Sequence, residues 1–299
     1  MHELDRIRLA LTDAAGRGES AVLATVVAVD GSAYRGTGAR MVVRADGSTV
    51  GAVSGGCLEA DIVARAAEVV TSSTPALVHY DTRSSDDGVF GLGMGCQGVV
   101  DVQLEPLMGD ALREQIDMLA ELRAKNAVRL LVCGAGADAI PVVRLAAMTG
   151  WLVTVVDHRP TFATAERFPD AERVVRLDAA QPQGALTSAV RLDDFAAAVV
   201  MGHAAAHDRA RLHELLRVDG LRYLGVLGPR RRTLELLEGA PGLEPGMVPS
   251  HVYAPVGLDI GAETPEEIAL AIVSECAVAL AGRTPSSLRD CDGPIHQRR

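Results

Sequence analysis

The chain opens on a helical rhythm: Leu4, Ile7, Leu11 and Ala14 fall on one face and predict an amphipathic helix. The rhythm then shortens. Residues 21–29 (AVLATVVAV) predict a strand ended by Asp30-Gly31-Ser32, and residues 39–44 and 49–53 predict two more. Asp46-Gly47 between the last two is a hairpin signal, because both residue types tolerate the backbone twist that such a turn needs. After Ser54-Gly55-Gly56-Cys57, the positions Leu58, Ile62, Ala66 and Val69 mark the apolar face of a second helix. Strands at 76–80 and 99–104 flank the glycine-dense FGLGMGCQG of residues 90–98. Residues 1–108 thus read as a small α+β domain, and 109–126 as a polar helical linker.

From 127 to 282 strands and helices alternate, which is the grammar of a parallel sheet. Strands are expected at 128–133, 152–156, 173–177, 196–201 and 223–227, with a helix at 137–149. A last helix opens at Thr264-Pro265-Glu266-Glu267, where threonine, proline and glutamate occupy the positions of a capping box. Residues 283–299 form a polar tail. The expected fold class is α/β: a C-terminal Rossmann-like parallel sheet preceded by a smaller α+β domain.

The segment LLVCGAGADA sets Gly134, Gly136 and Ala139 in a GxGxxA pattern between a strand and a helix. The first glycine permits the tight turn, the second lets a pyrophosphate approach the backbone, and the alanine lets helix and strand pack closely. Asp157 ends the next strand, where a carboxylate can bond ribose hydroxyls. The bland alternative is a Rossmann domain serving as a scaffold, its glycines kept for packing. His158 and Arg159 are candidates for a second phosphate. His203 and His207 are spaced to share a helix face as metal ligands, against which stands a loop followed by an ordinary helix start. Gly228-Pro229-Arg230-Arg231-Arg232 is a turn loaded with guanidinium groups, a candidate phosphate clamp or a solvated face.

Composition narrows the field. A net charge of −10 argues against non-specific binding to nucleic acid or anionic membranes, and 3% aromatic residues argue against stacking platforms. The first twenty residues lack the apolar core of a secretory signal, and the longest apolar stretch, 268–281, is broken by Ser274 and Glu275. Five cysteines without a CxxC pair suit a reducing, cytoplasmic compartment. Cys133 and Cys276 lie in apolar runs and read as buried side chains, and Cys291 as part of the tail. Cys57 differs, because it follows two glycines and precedes a helix whose positive end favours a thiolate. Cys96, in GLGMGCQG, also stands in a turn open to close approach.

Taken in order, GSAYRGTGARMVV, DGSTVGAVSGGCLE, FGLGMGCQGVVDVQLEPL, VCGAGADAIPVVRLAAMTGWLVTVVDHR, YLGVLGPRRR and APVGLDIGAETPEEIALAI resemble the xanthine dehydrogenase accessory (XdhC/CoxI) family over nearly the whole chain. Gly202 stands where threonine is common, Tyr34 where proline is common, and Gln97 where glycine or asparagine is common. The resemblance implies a maturation factor and not a hydroxylase. Such a chaperone binds the molybdenum cofactor (molybdopterin or its dinucleotide form), protects it while a cysteine desulfurase sulfurates it, and inserts it into an apo-molybdenum hydroxylase. On that expectation the cofactor lies between the halves. Its phosphate end is near Gly134 and Gly136, with Asp157, His203, Gly228, Arg230 and Arg231 in reach. Its metal end faces Cys57, the candidate molybdenum contact, with Cys96, Gly55, Gly56 and Glu59 around it. Arg35 and Arg40, beside the first glycine turn, are further candidate phosphate contacts. A homodimer is compatible with this picture. The rival readings are an NAD(P)-dependent oxidoreductase and a non-catalytic Rossmann scaffold.

Overall fold

The computed structural model describes residues 2–81, 83 and 98–290, and the chain divides into two compact units, Glu3–Asn126 and Ala127–Ser286. The expectation for Cys96, Gln97 and Cys291 lies outside the described residues.

The amino-terminal unit runs α1 (Glu3–Arg17), β1 (Ala21–Gly31), β2 (Arg40–Arg44), β3 (Thr49–Gly51), α2 (Glu59–Ser72), β4 (Ala76–Asp81), β5 (Gly98–Leu107) and α3 (Gly109–Asn126). Its antiparallel sheet has the order β3-β2-β1-β5-β4. The alternation along β1 explains the layers. Val22, Ala24 and Val26 point into one core with Ile62, Ala66 and Val69 of α2, whereas Ala21 and Leu23 point into another with α1 and α3. The 109–126 helix, read from its polarity as a linker, buries Leu112 and Leu119 beside Ile7 and Leu11 of α1. The β2–β3 turn forms as Asp46-Gly47 suggests: Gly47 takes φ +79°, and the Asp46 carboxylate accepts the Ser48 amide at 2.9 Å.

The carboxy-terminal unit runs β6 (Arg129–Cys133), α4 (Ala139–Met148), β7 (Leu152–Asp157), β8 (Arg173–Arg176), α5 (Ala185–Ala189), β9 (Ala197–Val200), α6 (Ala205–Leu215), β10 (Tyr223–Val226), α7 (Arg230–Leu237), β11 (Val252–Tyr253) and α8 (Pro265–Leu280). Its six strands are parallel and lie in the order β8-β7-β6-β9-β10-β11. This is the doubly wound Rossmann arrangement, whose strand order reverses between β6 and β9. Leu130 and Val132 pack under α4 and α8, and Leu131 and Cys133 pack under α5, α6 and α7. Helices therefore cover both faces, which is why β6 after Arg129 and the whole of β9 are apolar. The capping box of α8 is present: Thr264 accepts the Glu267 amide at 3.3 Å, and Glu267 accepts the Thr264 amide at 2.9 Å.

Candidate functional site

Two glycine turns, one in each unit, stand at strand-to-helix junctions. The first joins β3 to α2 and is folded around Ser54 and Glu59. The Glu59 carboxylate accepts the Ser54 amide at 2.8 Å and the Leu58 amide at 3.2 Å, and it also takes the Ser54 hydroxyl. The Ser54 oxygen in turn accepts the amides of Gly56 and Leu58, at 3.1 and 3.2 Å. Burial would raise the pKa of Glu59, but the bonds from Ser54 and Leu58 outweigh it and hold the carboxyl below its ordinary value. With the turn tied from beneath, its upper side is left clear. Gly56 has φ +112° and no atom within 4 Å of where a Cβ would sit, and Cys57 is exposed just ahead of α2.

A cleft of about 650 Å³ opens beside this turn, lined by Gly55, Gly56, Glu59, Tyr34, Arg35 and Arg6, among others. The Tyr34 ring packs at 3.5 Å against the Cβ position of Gly55. Arg35 is held by a two-pronged pair to Glu3, at 3.1 and 2.5 Å, so much of its charge is spent within the cleft. Arg6 is exposed on α1 and, among the described residues, has no ion-pair partner. Sequence reading missed it; one helical turn past Glu3, it stands on the same part of α1 as the Arg35 pair. Arg40 does not line the cleft. Its guanidinium turns back to the Gly38 carbonyl at 3.4 Å.

The second turn, between β6 and α4, is crowded. Gly134 has φ +126°, and a Cβ there would lie 2.7 Å from the Gly202 amide nitrogen and 2.8 Å from the Met201 carbonyl carbon. Asp157 is buried at the end of β7 and accepts four bonds: the Ala135 amide at 2.7 Å, the Arg159 amide at 2.8 Å, and the Arg159 guanidinium at 3.0 and 2.8 Å. The acid expected at ribose hydroxyls is thus committed to the turn itself. Burial would raise its pKa, yet Arg159 and the two amides hold it far below the carboxylate range. Arg159 lies 3.8 Å above the Phe162 ring, and Arg167 donates to the Ala135 carbonyl at 3.3 Å. His203 stands over the second glycine: a Cβ on Gly136 would be 3.6 Å from its Nε2.

A polar cluster continues along this carboxyl edge of the sheet. A pocket of about 190 Å³ is lined by Asp157, His158, Arg159, His203, Asp208 and Arg211, with Gly202 and Ala204. Asp208 is fully buried between Arg211 at 3.4 Å and Arg232 at 2.6 Å, and burial raises its pKa against the pull of both cations. Arg211 donates to His158 Nδ1 at 3.2 Å, and the same nitrogen lies 3.4 Å from the Asp157 carboxylate. The His158 ring stacks on His207 at 3.8 Å, and burial followed by its neighbour His207 lowers its pKa. His203 precedes α6 and His207 lies in its first turn, so the two do not share a helix face. Among the described residues no group of three or more His, Cys, Asp or Glu is arranged to hold a metal.

The arginine turn separates. Gly228 takes φ +110° beside the Arg232 stem, Arg230 is exposed, and Arg231 is 90% exposed and pairs with Glu235 at 3.5 Å. Arg232 alone of the three reaches inward, donating to the Leu227 and Gly202 carbonyls at 3.0 and 3.1 Å as well as to Asp208. Cys133 and Cys276 are buried, and burial pushes each thiol up to about 12, which removes them as nucleophiles at neutral pH.

Fold and turns together define a two-unit α/β protein, a Rossmann unit preceded by a smaller α+β unit that displays a cysteine at a glycine turn. The chain belongs to the XdhC and CoxI family: that family's model matches residues 14–81, and the XdhC Rossmann domain model matches residues 130–276. It is similar to a probable xanthine dehydrogenase subunit of Bacillus subtilis (strain 168), at 35% identity over 86% of this chain and 92% of that protein. It is also similar to the molybdenum cofactor insertion chaperone PaoD of Escherichia coli (strain K12), at 29% identity over 50% of this chain and 56% of that protein. A solved structure described as a xanthine dehydrogenase from Bacillus halodurans superposes with a TM-score of 0.78 at 29% identity, covering 96% of this chain and 98% of that one. Among the described residues no helix is long and apolar enough to cross a membrane.

Proposed function

We propose that this chain binds the molybdenum cofactor as cargo and inserts it into an apo-molybdenum hydroxylase of the xanthine dehydrogenase type. The observation that carries the reading is the open cysteine turn: an exposed thiol that follows the uncrowded Gly56, next to a cleft of about 650 Å³ carrying Arg6 and Arg35. A cleft of that volume suits a compact heterocycle, and an exposed cysteine sulfur is a ligand for a soft metal centre. The name of the Escherichia coli relative supports the same role.

In this reading Cys57 contacts the metal–dithiolene end while Arg6 meets anionic groups. Glu59 contacts no cargo and keeps the turn in shape. Protection of the cofactor during sulfuration by a cysteine desulfurase belongs to the same proposal, since a thiol held at the metal is placed to shield it.

The test is anaerobic loading of the purified chain with molybdopterin, pterin fluorescence after oxidation, and transfer to an apo-hydroxylase. The wild-type chain is expected to retain pterin, and Cys57→Ser to lose insertion at least tenfold. A chain that retains no pterin sinks the reading, and a Cys57→Ser variant with full insertion removes the thiol from it.

A further inference from the structure

The pocket of about 190 Å³ at the carboxyl edge of the parallel sheet has no part in the cysteine-turn reading, and its lining lies wholly in the carboxy-terminal unit. We propose that it is a binding site for a phosphate dianion, free or as the monoester end of a larger molecule, and that it does not take a dinucleotide.

Charge points to an anion. Arg159 and Arg211 line the pocket together with Asp157 and Asp208, and Arg232 pairs with Asp208 from outside the lining, which leaves one positive charge in excess over the cluster as a whole. The carboxylates are also shielded, Asp157 by four donors and Asp208 by two arginines. Arg211 is preorganised. Its side chain is 3% exposed, fixed by Asp208 on one side and His158 on the other, and those two bonds use only part of its donor fork. Imidazoles of His158 and His203 complete the wall. The cavity also includes Ala204, the N-cap of α6, which offers no side-chain oxygen to the amides of the first turn.

Size and committed donors argue against a dinucleotide. Pockets for larger organic ligands begin near ~300 Å³, above the volume here. A pyrophosphate would need the glycine-turn amides and an open Gly136. The Ala135 amide is bonded to Asp157, and His203 lies against Gly136. A ribose would need Asp157, whose oxygens are both engaged.

The inference stands whether or not the cysteine turn handles molybdenum, because its test uses the full-length chain without cofactor. Inorganic phosphate, methyl phosphate and NADH are titrated by calorimetry. Phosphate or methyl phosphate is expected to bind, NADH to bind at least tenfold more weakly, and the ratio of the first two to identify the source. A preference for methyl phosphate assigns the monoester end of a larger ligand, and a preference for phosphate assigns the free ion. His203→Ala, in an exposed loop, and Arg211→Lys, which keeps the charge but loses the fork, are each expected to weaken binding at least fivefold. Arg144→Ala, on the outer side of α4, is expected to leave it unchanged. Absence of phosphate binding, tighter binding of NADH, or wild-type affinity in both His203→Ala and Arg211→Lys would overturn the assignment.

Discussion

The two glycine turns use the same device to opposite ends. In each, a carboxylate ties down backbone amides: Glu59 those of Ser54 and Leu58, Asp157 those of Ala135 and Arg159. Glu59 belongs to the first turn of the helix that follows and works from below, so Gly56 and Cys57 face open space. Asp157 reaches in from the neighbouring strand, while Met201, Gly202 and His203 close over the glycines from another loop. One turn is a platform and the other a filled joint. Glycine content does not separate them; the origin of the tethering acid and the traffic above the glycines do.

The contrast is sharpest in a pair of alanine substitutions. Gly134→Ala places a methyl group against backbone that cannot yield, at a positive φ, and is expected to cost more than about 3 kcal/mol or to prevent folding. Gly56→Ala meets a positive φ but no neighbour, and should cost roughly 1–2 kcal/mol by urea denaturation. Equal losses would erase the distinction.

Next comes Asp157→Asn, expected to cost about 2–4 kcal/mol because it removes a buried charge on which Arg159 and an amide depend. The folded pKa of Asp157 is lowered, so its contribution is full above the unfolded carboxylate value near ~4 and is lost as pH falls toward the folded value. Stability of the wild-type chain should therefore decline more steeply in acid than that of Asp157→Asn. Glu59→Gln has the same sign and a smaller size, about 1 kcal/mol, since that carboxylate is only half-buried. Smallest is Cys57→Ser, which should unfold within about 0.5 kcal/mol of wild type, placing its whole effect in cofactor handling.

Much of the fold could be read from the chain because its signals are local. The run of strand-forming residues in β1, the Asp46-Gly47 turn, the GxGxxA junction and the capping box at Thr264 each declare themselves within a few residues. The strand order β3-β2-β1-β5-β4 could not, because it depends on pairing β1 with a strand some seventy residues later. The candidate sites divide in the same way. The sequence places Cys57, Gly55 and Gly56 at a helix entry; the two glycines line the cleft with Arg35 and Glu59, and Cys57 follows them, exposed. Asp157 is correctly placed at a strand end, but its partner Arg159 follows two residues on, and that short spacing was the available clue to its commitment. In the arginine turn, the inward member is set by the phase of α7, which buries Thr233, Leu236 and Leu237 and so carries Arg232 toward Asp208 while Arg230 and Arg231 stay outside. No motif fixes that phase. The two-residue strand β11 was too short to leave a pattern.

Helices α1 and α3 bracket the amino-terminal unit and share one core, with Ile7 and Leu11 on the first meeting Leu112 and Leu119 on the last. A nascent chain emerging from the ribosome therefore holds its opening helix without full cover until residues beyond 119 have been synthesised. Genetic fragments cut at 108 should be sticky and short-lived, whereas a cut after 126 leaves that packing whole.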